Sequence, residues 1–194
     1  ENGIAFNIAG GTHHAFYDRG EAFCLLNDQA IAANYLLDNN LAQRILIVDL
    51  DVHQGNGTAA LFQNNSSVFT FSVHCKANYP FQKELSDLDI PLEDNTKDIA
   101  YLSILEEALL NLLKNLQPDF VFYLSGVDVL NEDKLGRLSL TLEGAKKRDE
   151  IVISACYERN IPVQCSMGGG YAPDVNVIVE AHANTYRVAE DIHD

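Results

Sequence analysis

The sequence predicts an α/β fold, with a mainly parallel sheet held between helices in three layers. Three observations predict it. Short apolar runs rich in Val, Ile and Phe recur without polar alternation, as in strands covered on both faces. Segments with three-four apolar spacing separate these runs, as in amphipathic helices. Polar clusters follow the runs directly, and open α/β sheets bind ligands beyond the carboxyl ends of their strands.

In chain order, Ile4–Ile8 reads as the first strand. Phe23, Leu26, Ala30, Ala33 and Leu37 define the first helix. Ile45–Asp49 is a buried strand, and Val68–Val73 is another whose end carries Ser72 and His74. Leu102, Leu105, Leu109, Leu112 and Leu116 form a long helix. Pro118 ends it, because proline lacks the N–H and its ring clashes with the preceding turn. Phe120–Leu124 and Ile161–Cys165 are the remaining strands, separated by a helix that follows Thr141. A last helix opens near Pro173 with Ile178, Ala181, Thr185, Val188 and Ile192 on one face.

The chain has 194 residues, 47% hydrophobic and 21% charged, which suits one globular domain over residues 1–194. No linker, repeat or low-complexity tract divides it. No apolar run is long enough to span a bilayer, and the opening ENGIAFNIAGG lacks the basic flank of a signal peptide. That opening reads as mid-domain sequence, so a truncated N-terminus is expected. A net charge of −15 argues against direct nucleic-acid binding. It suits cationic partners such as Lys-rich polypeptides or polyamines, and equally a solubilising surface. Cys24, Cys75, Cys156 and Cys165 form no CxxC pair and sit among apolar neighbours. They are expected to be buried free thiols of an intracellular protein, cytoplasmic or, in a eukaryote, nuclear. Nothing in the sequence sets an oligomeric state.

The chemistry concentrates in ILIVDLDVHQGN, Ile45–Asn56, where an apolar strand ends in Asp49, Asp51 and His53. Side chains of an extended segment alternate with period two, so Asp51 and His53 project to the same side. A carboxylate and an imidazole there make two-thirds of a catalytic zinc site. Asp128, in LSGVDVL, would alone be a turn former; beside this pair it supplies the third ligand and leaves the fourth position open. His13 and His14 follow Gly10 and Gly11, and imidazoles shuttle protons near neutral pH. Tyr171 ends MGGGY. Three glycines can cradle phosphate, but no Walker pattern follows; the alternative is a turn that aims a phenol at a developing oxyanion. Ser72, Asp49 and nearby carbonyls can enclose a monovalent cation. No G-x-S-x-G elbow occurs, so covalent catalysis is disfavoured.

The order HH, DLDVHQGNG, SGVD, GGGY resembles the zinc-dependent histone deacetylase family, whose fold is shared with arginases. NIAGGTHHAF, DRGEAFCLLND, GRLSLTLEGAKKRDE and SMGGGY look most like its class IV, histone deacetylase 11-type branch. The resemblance implies that Asp51, His53 and Asp128 bind Zn2+, that His13 and His14 are the tandem catalytic histidines, and that Tyr171 is the catalytic tyrosine. It implies a structural K+ held by Asp49, Asp51, His53, Ser72 and Val73, with Asp49 also orienting His13. Asn56 would contact His14, and Phe23, Tyr79, Gly169 and Gly170 would line a substrate tunnel. Gln54 and Asn56 stand where many relatives have His and Asp. An amide stabilises imidazolium less than a carboxylate does, so His14 is expected to be the neutral base and His13 the more readily charged partner.

The implied activity is hydrolysis of acetyl-lysine or longer fatty-acyl-lysine in proteins. Hydrolysis of small acylated amines such as acetylpolyamines is the alternative, and a weakly active fragment that binds metal or acyl-lysine is a third reading. Two-manganese arginase chemistry needs more carboxylates than this chain brings. The resemblance also implies an N-terminal section, absent from this sequence, that supplies part of the sheet and one tunnel wall.

Overall fold

A computed structural model describes residues 3–193. Six strands and five helices follow one another as β1 (Ile4–Asn7), α1 (Asp28–Asp38), β2 (Ile45–Asp49), α2 (Asn56–Phe62), β3 (Val68–Cys75), β4 (Leu88–Leu92), α3 (Asp98–Leu116), β5 (Phe120–Leu124), α4 (Leu142–Glu158), β6 (Val163–Ser166) and α5 (Val175–His193). The strands form one sheet in the order β1-β6-β5-β2-β3-β4, with every neighbouring pair parallel.

β2 lies at the centre and is buried along its whole length. Its alternate residues serve two cores. Leu46, Val48 and Leu50 pack with Tyr101, Leu105 and Leu109 of α3 and Val152 of α4. Ile45 and Ile47 face the other way, onto Ala30 and Ala33 of α1 and Phe62 of α2. The period-two geometry of a strand thereby builds the three layers. From β2 the chain moves outward through β3 and β4, then returns to β2's other side as β5 and continues to β6. Strand order reverses between β2 and β5, and the crevice at such a switch point is where α/β sheets bind ligands.

The structure departs from the expected elements in several places. α1 starts at Asp28, not Phe23, because the Asn27 side chain accepts from the Ala30 N–H and caps the helix there. Phe23 and Leu26 stand exposed before it, so their spacing was not a helix face. β6 begins at Val163, after Pro162, and ends at Ser166; β1 stops at Asn7. β3 runs on to Cys75 and takes His74 into the sheet. β4 lies outside the expected strands, since Pro91 interrupts its apolar pattern; an edge strand tolerates proline. α2 is a seven-residue helix in a stretch to which the sequence assigns no element. Elsewhere the expectations hold. α3 ends at Gln117 in left-handed conformation before Pro118, and Thr141 caps α4 by accepting from Gly144 N–H. The four thiols are buried and unpaired. Among the described residues no helix is long and apolar enough to cross a membrane.

Beneath the carboxyl ends of β2 and β5 lies a fully buried cation, Arg148 of α4. Its Nη1 donates to the Gly126 carbonyl at 2.5 Å and the Leu50 carbonyl at 3.3 Å. Its Nη2 and Nε donate to Asp149 Oδ1 at 2.8 and 3.0 Å, and Tyr123 and Thr185 hydroxyls donate to the same carboxylate. One guanidinium thus ties together the two strand ends at the switch point. Removing one partner of a buried ion pair leaves the other uncompensated, at a cost of about 3–5 kcal/mol. Arg148→Met is therefore expected to destabilise the chain by about that amount in denaturant unfolding; a change within experimental error would show that the two carbonyls need no such tie.

Candidate active site

Asp49 is the last residue of β2, in register with Ser72 of β3 and Leu124 of β5. Beyond it the chain turns tightly, and the turn is held by carboxylates accepting backbone N–H groups. Asp49 Oδ1 accepts from Asp51 N at 3.2 Å, and Asp51 Oδ1 from His53 N at 2.9 Å. Asp128, in the loop after β5, reaches across the crevice: its Oδ1 accepts from Val52 N at 3.0 Å. His53 Nδ1 then lies 2.9 Å from Asp51 Oδ1 and 3.2 Å from Asp128 Oδ2. Ligand atoms of Asp51, His53 and Asp128 all fall within 4.8 Å of one another.

Two carboxylate oxygens and one imidazole nitrogen, all on buried groups, form a donor set suited to a divalent zinc with an open position. The local field agrees. Burial opposes charge on His53, yet Asp128 and Asp51 outweigh it and raise its pKa to about 10. Burial and the like charge of Asp51 push Asp128 upward. Burial also works against ionised Asp51, but His13 and His53 hold it well below the usual carboxylate range. The crevice attracts positive charge. Gly169 closes it from β6's side: its N–H donates to Asp51 Oδ2 at 2.8 Å, and a Cβ there would run into the Asp128 carboxylate.

The tandem histidines sit on the loop between β1 and α1. That loop is held by Asp28, at the start of α1, whose carboxylate accepts from Gly11 N, Thr12 N and Thr12 Oγ1 at 2.8–3.2 Å. Asn7 Nδ2 and Ser166 Oγ donate to the same group, so one carboxylate joins β1, β6 and the histidine loop. Gly11, with φ of +93°, packs directly on the Met167 carbonyl, where no side chain fits.

Both rings are buried, with centroids 4.1 Å apart, but their partners differ. His13 Nδ1–H donates to Asp49 Oδ2 at 2.7 Å. Burial would lower its pKa, but Asp49 and then Asp51 dominate and raise it to about 9. His14 Nδ1 lies 2.7 Å from the amide oxygen of Asn56. Burial and the neighbouring His13 charge lower it to about 3, against a small opposing effect of Asn56. The surroundings thus favour the charged form of His13 and the neutral form of His14.

Tyr171 faces these groups from the loop after β6. Asp133 fixes that loop, its Oδ2 accepting from Tyr171 N at 2.6 Å and its Oδ1 from Leu135 and Gly136 N. Burial, then the Asp51, Asp128 and Asp133 charges, raise the phenol above its usual range and keep it a proton donor. A cavity of about 510 Å³ brings together His13, His14, Asp51, His53, Gly169 and Tyr171. Tyr79 and Phe23 also line it, the latter 79% exposed at its mouth. Asp49, Asn56 and Asp128 are buried outside its lining. Gly170, expected in the tunnel, is not in the cavity lining, and a Cβ there would meet Val127 and Ile178. Ser72 Oγ lies 2.9 Å from His74 Nδ1, and Val73 is buried beside it in β3. Gln54 points away from the site and bonds to Asp89 and Glu84.

A family model described as the histone deacetylase domain matches residues 1–186. An uncharacterized protein of Picosynechococcus sp. is 50% identical over 193 residues, covering 100% of this chain and 64% of that protein. Histone deacetylase 2 of Arabidopsis thaliana is 34% identical over 191 residues, covering 96% of this chain and 49% of the relative. The crystal structure of a histone deacetylase homolog from Aquifex aeolicus superposes with a TM-score of 0.80 at 29% identity, covering 96% of this chain and 51% of that one. The chain thus spans less than two thirds of each of these proteins.

The contact between Gly169 and the two carboxylates has a direct test. Gly169→Ala is expected to weaken divalent-metal binding by about ten- to hundredfold, the range for groups that orient metal ligands. Calorimetric zinc titration checks it, and unchanged affinity would mean that the carboxylates shift without loss.

Proposed function

The chain belongs to the histone deacetylase family, and on that premise we propose that it is a zinc-dependent hydrolase of acyl-lysine amides. The observation that carries this is the convergence of Asp51, His53 and Asp128 beside one open cavity whose walls also hold His13, His14 and Tyr171. Three protein ligands leave a coordination position for chemistry.

Bound there, zinc would polarise the acyl carbonyl and bring the pKa of water towards roughly 7. His14 is neutral and has its Nδ1 proton engaged by Asn56, so Nε2 is free to take a proton from the attacking water. It then passes that proton to the departing amine, giving a carboxylate and free lysine. His13, held protonated by Asp49, offsets the negative charge that gathers during attack. The Tyr171 hydroxyl donates to the carbonyl oxygen as it becomes anionic. A cavity of about 510 Å³ accommodates a lysine side chain and its acyl group. The net charge of −15 favours cationic, Lys-rich polypeptides as substrates.

Two finer assignments follow. The amide partner of His14 supports membership of the class IV branch of the family. The register of Asp49 with Ser72 supports a structural K+ held by these side chains and by the Asp51, His53 and Val73 carbonyls.

Turnover of acetyl-lysine peptides, myristoyl-lysine peptides and acetylpolyamines on one preparation tests the reading. Acyl-lysine turnover is expected to vanish with a chelator and return with zinc. His14→Ala is expected to lower kcat by about a hundredfold or more, and His13→Ala by less. Tyr171→Phe is expected to lower kcat by about a hundredfold while zinc stays bound. Turnover on polyamines alone would move the substrate to small amines, and zinc binding without turnover would leave a binding module. If His13→Ala abolished turnover and His14→Ala spared it, the two roles would be reversed.

A further inference from the structure

Glu21 stands beside the histidine wall of the cavity, two residues before Phe23, and has no part in the proposed mechanism so far described. Its backbone N–H and carbonyl both pair with Cys24, each at 2.9 Å, across a turn in which Ala22 adopts a φ of +50°. The side chain is thereby aimed inward. Its Oε1 accepts from Asn56 Nδ2 at 2.7 Å and from the Tyr79 hydroxyl at 2.5 Å. Arg19 Nε approaches its other oxygen at 3.4 Å. Asn56 Oδ1 is the atom that meets His14 Nδ1, and the Tyr79 ring packs edge-on against the His14 ring, centroids 5.1 Å apart. His14, Asn56, Glu21 and Tyr79 therefore close a ring of four contacts.

We propose that Glu21 is a positioning residue that fixes the tautomer of His14 through the Asn56 amide. The proposal rests on His14 being the base. A side-chain amide has two nearly equal ends, one accepting and one donating, and half a turn exchanges them. With its oxygen toward His14, it requires a proton on Nδ1 and leaves the Nε2 lone pair free for substrate water. With its nitrogen toward His14, it requires the Nδ1 lone pair and puts the proton on Nε2, where it blocks the base. Nothing in Asn56 itself chooses between these. An ionised carboxylate does, because it accepts and cannot donate. Glu21 takes the amide nitrogen, so the amide oxygen must face His14. Polarity then runs in one direction from Glu21 through Asn56 to the free lone pair of His14. His13 has its carboxylate, Asp49, in direct contact. His14 reaches its own through one intervening amide.

The test reads the tautomer directly. Long-range ¹H–¹⁵N correlation spectra of the full chain with ¹⁵N-labelled histidine distinguish Nδ1–H from Nε2–H rings, and need neither turnover nor substrate. The wild-type chain is expected to show His14 as a single Nδ1–H tautomer. Glu21→Gln keeps size and removes the acceptor-only character, so a mixture of tautomers is expected, with kcat lowered about tenfold and KM little changed. Tyr79→Phe removes the other hydrogen bond to Glu21 Oε1 and leaves the bond from Asn56 Nδ2, so the single Nδ1–H tautomer is expected to persist in that variant. A role limited to holding Tyr79 would give Tyr79→Phe the same mixture as Glu21→Gln. A pure Nδ1–H tautomer in Glu21→Gln would overturn the proposal, as would an equal mixture in Tyr79→Phe. If the wild-type chain hydrolyses no acyl-lysine, the hydrolase reading fails, while the spectra still decide what Glu21 does.

Discussion

Three carboxylates, Asp49, Asp51 and Asp128, are buried together at the ends of two adjacent strands, and the rest of the site follows from having to keep them there. Like charges removed from water repel strongly and lose their hydration. The structure answers with donors on every side. Asp49 is met by His13 and the Asp51 N–H, Asp51 by His53 and the Gly169 N–H, and Asp128 by His53 and the Val52 N–H. These bonds fix where each oxygen points. Between Asp51 and Asp128 a field remains that calls for one more positive charge, and the ligand geometry of His53 and both carboxylates offers that place to a divalent cation.

The topology makes such a cluster possible. β2 ends at the switch point, so its successor loop and that of β5 open onto the same crevice. Arg148 braces both strand ends from below through the Leu50 and Gly126 carbonyls. Asp28 and Asp133 brace the loops that bring His13, His14 and Tyr171 over the crevice. Burial disfavours charge on both imidazoles, and their surroundings divide them: the Asp49 carboxylate overrides burial at His13, whereas His14 has an amide partner and a cationic neighbour and is held towards its neutral form. The same loop therefore presents two imidazoles of opposite electrostatic bias to the crevice.

How much of this the sequence discloses depends on how local the signal is. β2 is legible because period-two geometry acts within a few residues, but Asp51 and His53 lie past its end, where a turn held by carboxylates and not strand alternation brings them together. Asp128 became legible only once that pair posed the question of a third ligand. The start of α1 differs from the expected one because Phe23 and Leu26 happen to fit a helical spacing, whereas the Asn27 cap decides the boundary. β4 was hidden by Pro91, and Gly170 by its membership of a glycine run of which only part faces the cavity. Asp28, Glu21 and Arg148 lie in segments that carry the family resemblance, yet nothing local in those segments, or around Asp133, tells what each side chain meets. Asp28, Glu21, Arg148 and Asp133 act on partners 16, 35, 98 and 38 residues away, and only the closed fold brings those partners into reach.

The carboxylate cluster suits a cation and is held at some cost to stability. Asp128→Asn tests it, since the amide keeps the shape and an oxygen for the Val52 N–H while removing one of the repelling charges. The measurement is the melting temperature of wild-type and variant chains, each metal-free and with zinc. The expected result is that zinc raises the Tm of the wild-type chain, leaves Asp128→Asn unmoved, and that the metal-free variant melts at or above the metal-free wild type. A wild-type Tm indifferent to zinc, or a metal-free variant melting well below the wild type, would contradict it.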